Sequence, residues 1–473
     1  MKHKSFIRFV LAAVVMYSFA FMALVYVVDP LQMYRPAWYP PMFSEEERFQ
    51  NPGLAKHYEY DTIIIGSSMT QNFVPSDVER VFGGQAMKLS MEGSTAHEQH
   101  LIAKLALSTG QVKRVIWGLD YFSMRGESDA VRDDQGPFPF YLYDDNPLND
   151  VRYLYNFSVV RQIGESVYDQ WAGEEKETLE TLNNWDEAAV YGAVPTFANY
   201  ELARGMEVGI AQTVVPLEAV QQSFRANVLS LVEAYPEVEF IVYYPPYSIL
   251  RQQVWHELNP ERFANQQAMK RWMFEQFAAY PNAAVHDFQT ERDITHDLSV
   301  YKDISHHSAA VNQWIVKRLA DGSHRVTSAN IDRFIAELER QVRELDPYDF
   351  NPARVIVRWN GRPLETEPRP MSVDGVAMGP ARGILDAAGA SLTWDAASER
   401  MTIARNRTTV VLTAGSGEAL VQGKSVSIGR APKLANGRMI VPIADVARLL
   451  GLAAEWESSE RTLTIVELSD KRT

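Results

Sequence analysis

The fold of the first part of the chain is decided by one stretch, Asp61-Thr62-Ile63-Ile64-Ile65-Gly66-Ser67-Ser68-Met69-Thr70. Its β-branched run over residues 62–65 is typical of a strand buried on both faces of a parallel sheet. A glycine and two serines end the run, and a helix-like segment begins soon after at Pro75. This order would place a serine hydroxyl at the carboxyl edge of the sheet, near a helix N-terminus that stabilises negative charge. Ser67 and Ser68 are therefore candidate functional residues, although serines that only cap a turn give the same pattern.

Two further apolar runs predict strands of the same sheet, at residues 112–120 and 238–244. Apolar residues at helical spacing precede each of them, over residues 98–107 and 217–234. Strands that alternate with helices indicate right-handed parallel crossovers, and so they predict an α/β domain. The long connection over residues 123–210 is rich in Asp, Asn and Tyr, which fits either a solvated cap or a lid that binds glycans.

Composition excludes several classes of protein. A length of 473 residues is too great for one ordinary domain, and 46% hydrophobic with 22% charged residues describe a globular chain. The formal net charge of −14 argues against non-specific binding of nucleic acid, which requires a basic surface. The chain has no cysteine, which excludes disulfides, thiolate metal sites and a cysteine nucleophile.

The N-terminus predicts a membrane anchor. Residues 9–28 carry no charge and are enough to cross a bilayer as a helix. Lys2, Lys4 and Arg8 precede this run, so the positive-inside rule predicts a cytoplasmic N-terminus, a single pass through the cell membrane and an extracellular bulk. A cleaved signal peptide is the alternative. The run is longer than a signal peptide's apolar region and no clear cleavage site follows, which favours an uncleaved anchor.

The last part of the chain contains an internal repeat of 62 residues. Gly361 aligns with Gly423 and Trp394 with Trp456, at the same offset and without a gap. Each copy has hairpin signals, then a short helix, then strands led by the tryptophan. The pattern predicts a small α+β domain made of two repeats, with both tryptophans in its core.

An amphipathic helix is predicted just before this domain, over residues 327–345, with Thr327 or Ser328 as its N-cap. Pro347 and Pro352 then mark a boundary. The predicted organisation is a tail and anchor at 1–28, a spacer rich in proline and aromatics at 29–58, an α/β domain at 59–325, a linker helix at 326–350 and the repeat domain at 351–469.

A serine acts as a nucleophile only when a base takes its proton and a third group orients that base. Asp303 and His306 lie three residues apart, just before a predicted helix that starts near Ser308. The carboxylate can hold the imidazole by Nδ1–H while Nε2 faces a nucleophile. A surface loop with polar side chains would give the same spacing. Together with Ser68, the pair predicts a catalytic serine site.

Gly66-Ser67-Ser68 and Asp303-x-x-His306 resemble motifs of the SGNH/GDSL hydrolase family, over roughly residues 58–325. The likeness is closest to the branch with membrane-anchored proteins of alginate O-acetylation and teichoic acid D-alanylation. It implies a flavodoxin-like, three-layer parallel-sheet domain with Ser68 as nucleophile, His306 as base and Asp303 as orienting acid. It also implies an oxyanion hole from Ser68 and Gly93. The family's third donor is an asparagine, where this chain has Asp120, and a carboxylate cannot donate unless it is protonated.

The C-terminal repeats resemble the copper amine oxidase N-terminal-like stalk domain, an extracellular appendage in Gram-positive bacteria. Neither copy offers a cluster of catalytic groups. Among the ten histidines only His306 and His307 are adjacent, so the sequence offers no copper ligand set, and we predict no metal and no cofactor.

These observations predict a membrane-anchored extracellular SGNH-type serine esterase or O-acyltransferase that acts on a cell-wall or exported polysaccharide. The alternative is a catalytically inactive polymer-binding or scaffold protein of cell-envelope biogenesis that retains the fold. The predicted partners are a cell-surface polysaccharide or acyl-polymer substrate, the membrane through the N-terminal helix and the cell wall through the stalk, without nucleic acid. The polymer, the acyl group, the acceptor and the oligomeric state stay open.

Overall fold

The computed structural model describes residues 2–41, 43–132, 134, 136–144, 146, 148–173, 177–206, 215–435 and 437–467. Parts of four predicted segments lie outside the described residues: residue 1 of the anchor, residue 42 of the spacer, several positions of the 123–210 connection, and residues 436, 468 and 469 of the repeat domain. The chain divides into two compact units, Met1–Leu345 and Asp346–Thr473.

The first unit is built on a sheet of five parallel strands, which confirms the predicted α/β class. The strands are β1 Thr62–Gly66, β2 Ala86–Lys88, β3 Arg114–Gly118, β4 Glu239–Tyr244 and β5 Ala283–Asp287. They lie in the order 2-1-3-4-5, with Gly66 of β1 beside Gly118 of β3. In this order the chain reverses its direction of winding between β1 and β3, where ligands bind in doubly wound sheets.

The isoleucine run of β1 is buried on both faces, as its composition predicts. Ile63 and Ile65 pack in the larger core together with Trp117, whereas Ile64 packs in a second core with Tyr243. Because successive side chains of a strand point to opposite faces, these two cores lie on the two sides of the sheet.

Helices cover the sheet and its connections. They are α1 Lys2–Val28, α2 Glu47–His57, α3 Pro75–Phe82, α4 Ala96–Ser108, α5 Val151–Leu154, α6 Phe157–Ala172, α7 Ala193–Met206, α8 Leu217–Phe224, α9 Ser230–Ala234, α10 Ile249–Leu258, α11 Pro260–Phe277, α12 Arg292–Thr295, α13 Ala309–Asp321 and α14 Ile331–Glu344. The single helix predicted over residues 217–234 is divided by a π-helical turn, Arg225–Leu229, between α8 and α9.

Helix α1 is long and apolar enough, over Lys4–Val28, to cross a membrane by length and composition. Its end is fastened to the first unit. The Asp29 carboxylate accepts hydrogen bonds from the backbone N–H of Met33 and Tyr34 and from the hydroxyl of Tyr153, each at 2.9 Å. The Tyr153 hydroxyl in turn accepts one from the backbone N–H of Leu31, at 3.3 Å. Tyr153 lies in α5, so the long connection holds the base of α1.

Two of the predicted segments make tertiary contacts within the first unit. In the predicted spacer, residues 29–58, α2 packs against α4 and buries Leu54 and Ala55 in the larger core. In the predicted amphipathic linker helix, residues 326–350, α14 packs against α10 and α11 and buries Leu338 and Val342. Helix α14 also starts later than predicted: Asn330, rather than Thr327 or Ser328, occupies its N-cap position.

The described residues of the second unit form three small sheets and two short α-helices. Its strands are β6 Ile356–Trp359, β7 Arg362–Pro363, β8 Met371–Val373, β9 Val376–Pro380, β10 Ser391–Asp395, β11 Arg400–Arg405, β12 Thr408–Thr413, β13 Glu418–Val421, β14 Lys424–Ser427, β15 Lys433–Ala435, β16 Arg438–Pro442, β17 Leu452–Glu457 and β18 Thr462–Glu467. The helices are α15 Ala381–Ala387 and α16 Ile443–Leu449. The strand orders are 10-11-12-13-14, 15-16-9-8 and 17-18-6-7, and the pairs are antiparallel except β18 with β6.

The prediction that both tryptophans lie in the core of this unit is wrong. Trp394 is 37% exposed and Trp456 is 40% exposed. Each lies on the edge strand of its sheet, β10 or β17, and pairs with a buried residue of the next strand, Met401 or Leu463. An edge strand has a neighbour on one side only, which leaves part of each ring open to solvent. The 62-residue repeat itself stays a prediction.

Candidate active site

The turn after β1 carries the first site residues. Gly66 has a φ of 149°, and a Cβ at this position would lie 2.7 Å from the carbonyl oxygen of Gly118. Only glycine therefore fits between β1 and β3 at this point. Ser67 follows in an extended conformation, and Ser68 begins the short 3-10 turn Ser68–Thr70 at the carboxyl edge of the sheet.

The structure brings Ser68, His306 and Asp303 into one hydrogen-bonded chain, although Ser68 and His306 are 238 residues apart. The distance from Ser68 Oγ to His306 Nε2 is 2.8 Å. On the other side of the ring, His306 Nδ1 lies 2.8 Å from Asp303 Oδ2 and 3.1 Å from Oδ1. With the Nδ1–H donated to the carboxylate, Nε2 is the acceptor for the Ser68 hydroxyl.

Asp303 is suited to hold the imidazole. Its Oδ1 also accepts the backbone N–H of Ser305 and of His306, at 2.7 and 2.8 Å. Burial raises the pKa of the Asp303 carboxyl, but the hydrogen bonds and positive charge from His306 outweigh it and lower the pKa to about 2. Asp303 is therefore ionised at neutral pH and stabilises a protonated imidazole beside it.

Two backbone donors face the same cavity as the serine. Ser68, Gly93 and His306 line a cavity of about 300 Å³. Among the described residues, none accepts a hydrogen bond from the backbone N–H of Ser68 or of Gly93. Two free N–H groups next to a serine hydroxyl form the arrangement that binds an oxyanion.

The peptide group that carries the Gly93 N–H is fixed by two arginines. The Glu92 carbonyl oxygen accepts from Arg48 Nη2 at 3.0 Å and from Arg132 Nη1 at 3.2 Å. The N–H of a trans peptide points opposite to its carbonyl, so the Gly93 N–H points away from both guanidinium groups. Gly93 has a φ of 56°, and a Cβ there would lie 2.2 Å from Arg132 Nη1.

Asp120, the position of the doubtful third donor, is held as an acceptor. Its Oδ2 accepts from the Ser67 hydroxyl at 2.8 Å, and its Oδ1 accepts from the Ser123 backbone N–H at 3.1 Å. The pKa of this carboxyl is raised above its usual value, because the effect of burial exceeds that of the hydrogen bonds from Ser67 and Ser123, which lower it. Asp120 lines the cavity, but both its oxygens are already engaged.

A residue that sequence reasoning missed comes from the long connection. The Trp185 ring meets the His306 imidazole edge to face, with centroids 5.5 Å apart, and Lys302 Nζ lies 3.5 Å above the Trp185 ring. Trp185 Nε1 donates to Gln71 Oε1 at 2.9 Å, and its backbone N–H donates to Asn72 Oδ1 at 3.0 Å. The aromatic and polar composition of the connection pointed to function, but nothing in it singled out Trp185.

Within the described ranges, no group of three or more His, Asp or Glu side chains could hold a metal ion. The side chains and backbone donors of the site are suited to attack by an activated hydroxyl on an acyl carbon, with the developing charge bound by N–H groups.

Comparison with known proteins finds a family model that matches part of the second unit. A family model of the copper amine oxidase N-terminal domain matches residues 358–465. No curated protein matches the chain. One similar solved structure is described as "a putative platelet activating factor from Streptococcus pneumonia"; it has a TM-score of 0.32 and 15% identity, over 59% of this chain and 91% of that chain. The second unit therefore carries a copper amine oxidase N-terminal-like domain, as its sequence predicted.

Proposed function

We propose that the protein is a membrane-anchored extracellular serine esterase or O-acyltransferase of the SGNH type, acting on acyl groups of a cell-wall or exported polysaccharide. The observation that carries the proposal is the hydrogen-bonded chain from Ser68 through His306 to Asp303, beside two backbone N–H groups that have no acceptor among the described residues. The strand order 2-1-3-4-5 with cores on both faces supports the flavodoxin-like part of the proposal.

In the proposed reaction, Ser68 Oγ attacks the carbonyl carbon of an ester while His306 Nε2 takes the hydroxyl proton. Asp303 stabilises the imidazolium, and the N–H groups of Ser68 and Gly93 bind the oxyanion. When the tetrahedral intermediate collapses, the C–O bond to the alcohol breaks and Nε2 returns the proton to the leaving oxygen. Water or a sugar hydroxyl then attacks the acyl-Ser68 ester, with its proton passing to Nε2, and Ser68 is released with its proton restored.

Localisation rests on the N-terminal segment. Lys2, Lys4 and Arg8 precede the apolar part of α1, which supports a cytoplasmic N-terminus and a catalytic unit outside the cell. The copper amine oxidase N-terminal-like unit would then also lie outside, where it is available to contact the wall.

The experiment is labelling of the full chain in detergent with a fluorophosphonate probe, together with hydrolysis of 4-nitrophenyl acetate. Ser68→Ala should abolish labelling. Ser68→Ala and His306→Ala should each lower turnover by at least ~10³-fold, and the double variant should be little worse, because members of one catalytic unit are not additive. Ser76→Ala, a serine of α3 outside the cavity, is the matched control. A folded Ser68→Ala variant with wild-type turnover would refute the proposal.

Asp120 favours a second candidate function, a polymer-binding scaffold without activity. It stands where an additional N–H donor is expected, and loss of one such donor typically lowers the rate ~100- to 1,000-fold. If the wild-type chain neither reacts with the probe nor hydrolyses an ester, the scaffold is the function to pursue.

A further inference from the structure

Helix α6 of the long connection presents an apolar face to the solvent. Phe157, Tyr168 and Trp171 are 77%, 61% and 83% exposed, and Val167 is exposed as well. Together with Gly164 they fall on one side of the helix, because their spacing follows the turn of 3.6 residues. We call these five residues the outer face of α6. A group of exposed apolar side chains of this kind marks a surface that contacts another molecule or a membrane.

The remaining sides of α6 differ from the outer face. Val159 and Ile163 point inward and belong to the same hydrophobic cluster as Val25 of α1. Next to the outer face runs a polar edge of exposed residues, which consists of Ser158, Arg161 and Glu165. Helix α6 therefore has one side against the protein, one polar side and one apolar side, which is the pattern of a helix that lies at a membrane surface.

The contact between α1 and the start of α6 lies well before the end of α1. The ring of Phe21 in α1 meets the ring of Tyr155, which lies just before α6, with centroids 5.2 Å apart. Phe21 precedes Val28, the last residue of α1, by 28 − 21 = 7 positions. Seven positions correspond to about 10 Å along a helix axis. A bilayer that α1 crosses up to its end would therefore also reach Tyr155 and the start of α6.

The length of α1 argues against a bilayer that ends before Tyr155. The uncharged run before Phe21 consists of residues 9–20, which measure about 18 Å as a helix. The hydrocarbon core of a bilayer is about 30 Å thick, and the charge of Arg8 limits the run on its other side. The run crosses the core only when the residues up to 28 are included, and α5 and α6 pack against this part of α1.

The end of α1 carries residues that are typical of a membrane surface. The carbonyl oxygen of Val27 accepts hydrogen bonds from Trp38 Nε1 at 3.0 Å and from Arg35 Nη2 at 3.1 Å. Tryptophan is enriched at the level of the lipid headgroups, and arginine extends its charged end to that level. Near the other end of α6, Gln170 Nε2 donates to the carbonyl oxygen of Pro40 at 3.1 Å. Helix α6 is therefore held between the apolar part of α1 and the segment that contains Trp38.

We propose that α6 is a second membrane contact of this protein, with its outer face immersed at the boundary between headgroups and acyl chains, in the leaflet that surrounds the end of α1. The inference rests on the membrane-anchored part of the proposed function and does not depend on catalysis. With one arginine, Arg161, against Glu165 and Asp169, α6 carries no net positive charge. The contact therefore depends on the burial of apolar side chains and not on anionic lipid.

Because the chain has no cysteine, single fluorescent labels can be attached to the full chain at chosen positions. Gly164→Cys and Val167→Cys place the label on the outer face, and Glu165→Cys, on the polar edge, is the matched control. A Cβ at Gly164 would meet nothing within 4 Å, and Val167 and Glu165 are both exposed, so these changes leave the packing of α6 intact. Leu24→Cys, at an exposed position of α1, reports whether α1 itself lies in the bilayer. Each labelled protein is reconstituted in phosphatidylcholine nanodiscs, with and without a lipid that carries a nitroxide quencher near the top of its acyl chain.

The lipid nitroxide should quench the labels of Gly164→Cys and Val167→Cys at least ~2-fold more than that of Glu165→Cys, and it should also quench the label of Leu24→Cys. Aqueous iodide should quench the three labels of α6 in the opposite order. Replacing part of the phosphatidylcholine by phosphatidylglycerol should leave both orders unchanged.

Three results would overturn the inference. Equal quenching of the three α6 labels by the lipid nitroxide, with Leu24→Cys quenched, would remove α6 from the bilayer and leave the anchor and the esterase standing. Outer-face labels protected from both quenchers would show that protein, such as a second copy of the chain, covers this face. An unquenched label of Leu24→Cys would overturn the anchor and the placement of α6 together, without bearing on catalysis.

Discussion

At the scale of single residues, the Glu92–Gly93 peptide connects the candidate site to distant parts of the chain. Arg48 comes from α2 and Arg132 from the long connection, and both donate to the Glu92 carbonyl. Arg48 also forms a buried ion pair with Glu98, at 2.9 Å, so its removal would leave a buried charge without a partner. Arg132 is more exposed and is the better residue to change.

We predict that Arg132→Gln lowers kcat for a neutral ester by about 2- to 10-fold, because a typical hydrogen bond contributes about 0.5–1.5 kcal/mol. The Gly93 N–H would then be less firmly directed in the transition state, while KM changes little. Arg132→Lys should recover part of the rate. Asp134→Asn removes the ion pair of Arg132 but not its contact with Glu92, so it serves as the control. Equal loss in Arg132→Gln and Asp134→Asn would contradict the positioning role.

The serine, the histidine and the aspartate could be found from the sequence because each stands in a short local pattern. Ser68 follows a glycine at the end of a β-branched run, and Asp303 and His306 share one turn. Arg48, Arg132 and Trp185 could not be found in this way. The two arginines reach the Glu92 carbonyl from α2 and the long connection, and Trp185 reaches the His306 ring from the same connection. These positions depend on tertiary packing, which leaves no local spacing in the sequence.

At the scale of elements, the segment around Trp185 packs against the imidazole of His306. We predict that Trp185→Ala lowers kcat by about 10-fold with a smaller change in KM, because the His306 ring loses its edge contact and Lys302 loses the ring beneath it. Trp185→Phe should be intermediate, since it keeps a ring but loses the hydrogen bond to Gln71. Trp171→Ala, at an 83% exposed tryptophan of α6, is the control. If Trp185→Ala and Trp171→Ala lowered kcat equally, the cause would be a general disturbance of the long connection, and the role assigned to the contact between Trp185 and His306 would be wrong.

Prediction of elements succeeded where apolar periodicity was strong. The strands β1, β3 and β4 and helix α4 lie where the sequence placed them, within one or two residues. Helix α2 was missed because its residues are mostly polar and Pro52 lies inside it, so it lacks an apolar stripe. It is nevertheless buried, because Glu47, Gln50 and Asn51 make hydrogen bonds inside the unit.

At the scale of the whole molecule, the two units differ in their response to acid. All ten histidines lie before residue 325, so the second unit contains none. His286 and His307 are buried, and burial lowers the pKa of each to about 4. Because these folded-state values lie below the ordinary value of 6.5, the stability they contribute is complete above pH 6.5 and is lost as the pH falls through about 4.

We predict two thermal transitions in scanning calorimetry, one for each unit with its own core. Between pH 6.5 and 5, His286 and His307 should each lower the free energy of unfolding of the first unit by about 1.4 kcal/mol per pH unit, and Glu47, whose pKa burial raises to about 7, should offset about one of them. The transition of the first unit should therefore move to lower temperature more than that of the second. His286→Asn should reduce this slope. Equal slopes for the two transitions, or a slope unaffected by His286→Asn, would contradict the assignment.

The junction below α1 has a consequence for how substrate reaches the cavity. Asp29, Leu31 and Tyr153 join the end of α1 to the first unit by buried hydrogen bonds, without a stretch of loose chain between them. A flexible tether would let an enzyme sweep a volume whose radius grows with the tether's length. If α1 spans a bilayer and the proposed function holds, the first unit has no such volume to sweep. Its encounters with a polymer would then depend on lateral diffusion, and the effective polymer concentration would be the number of chains per unit area that pass at the height of the cavity.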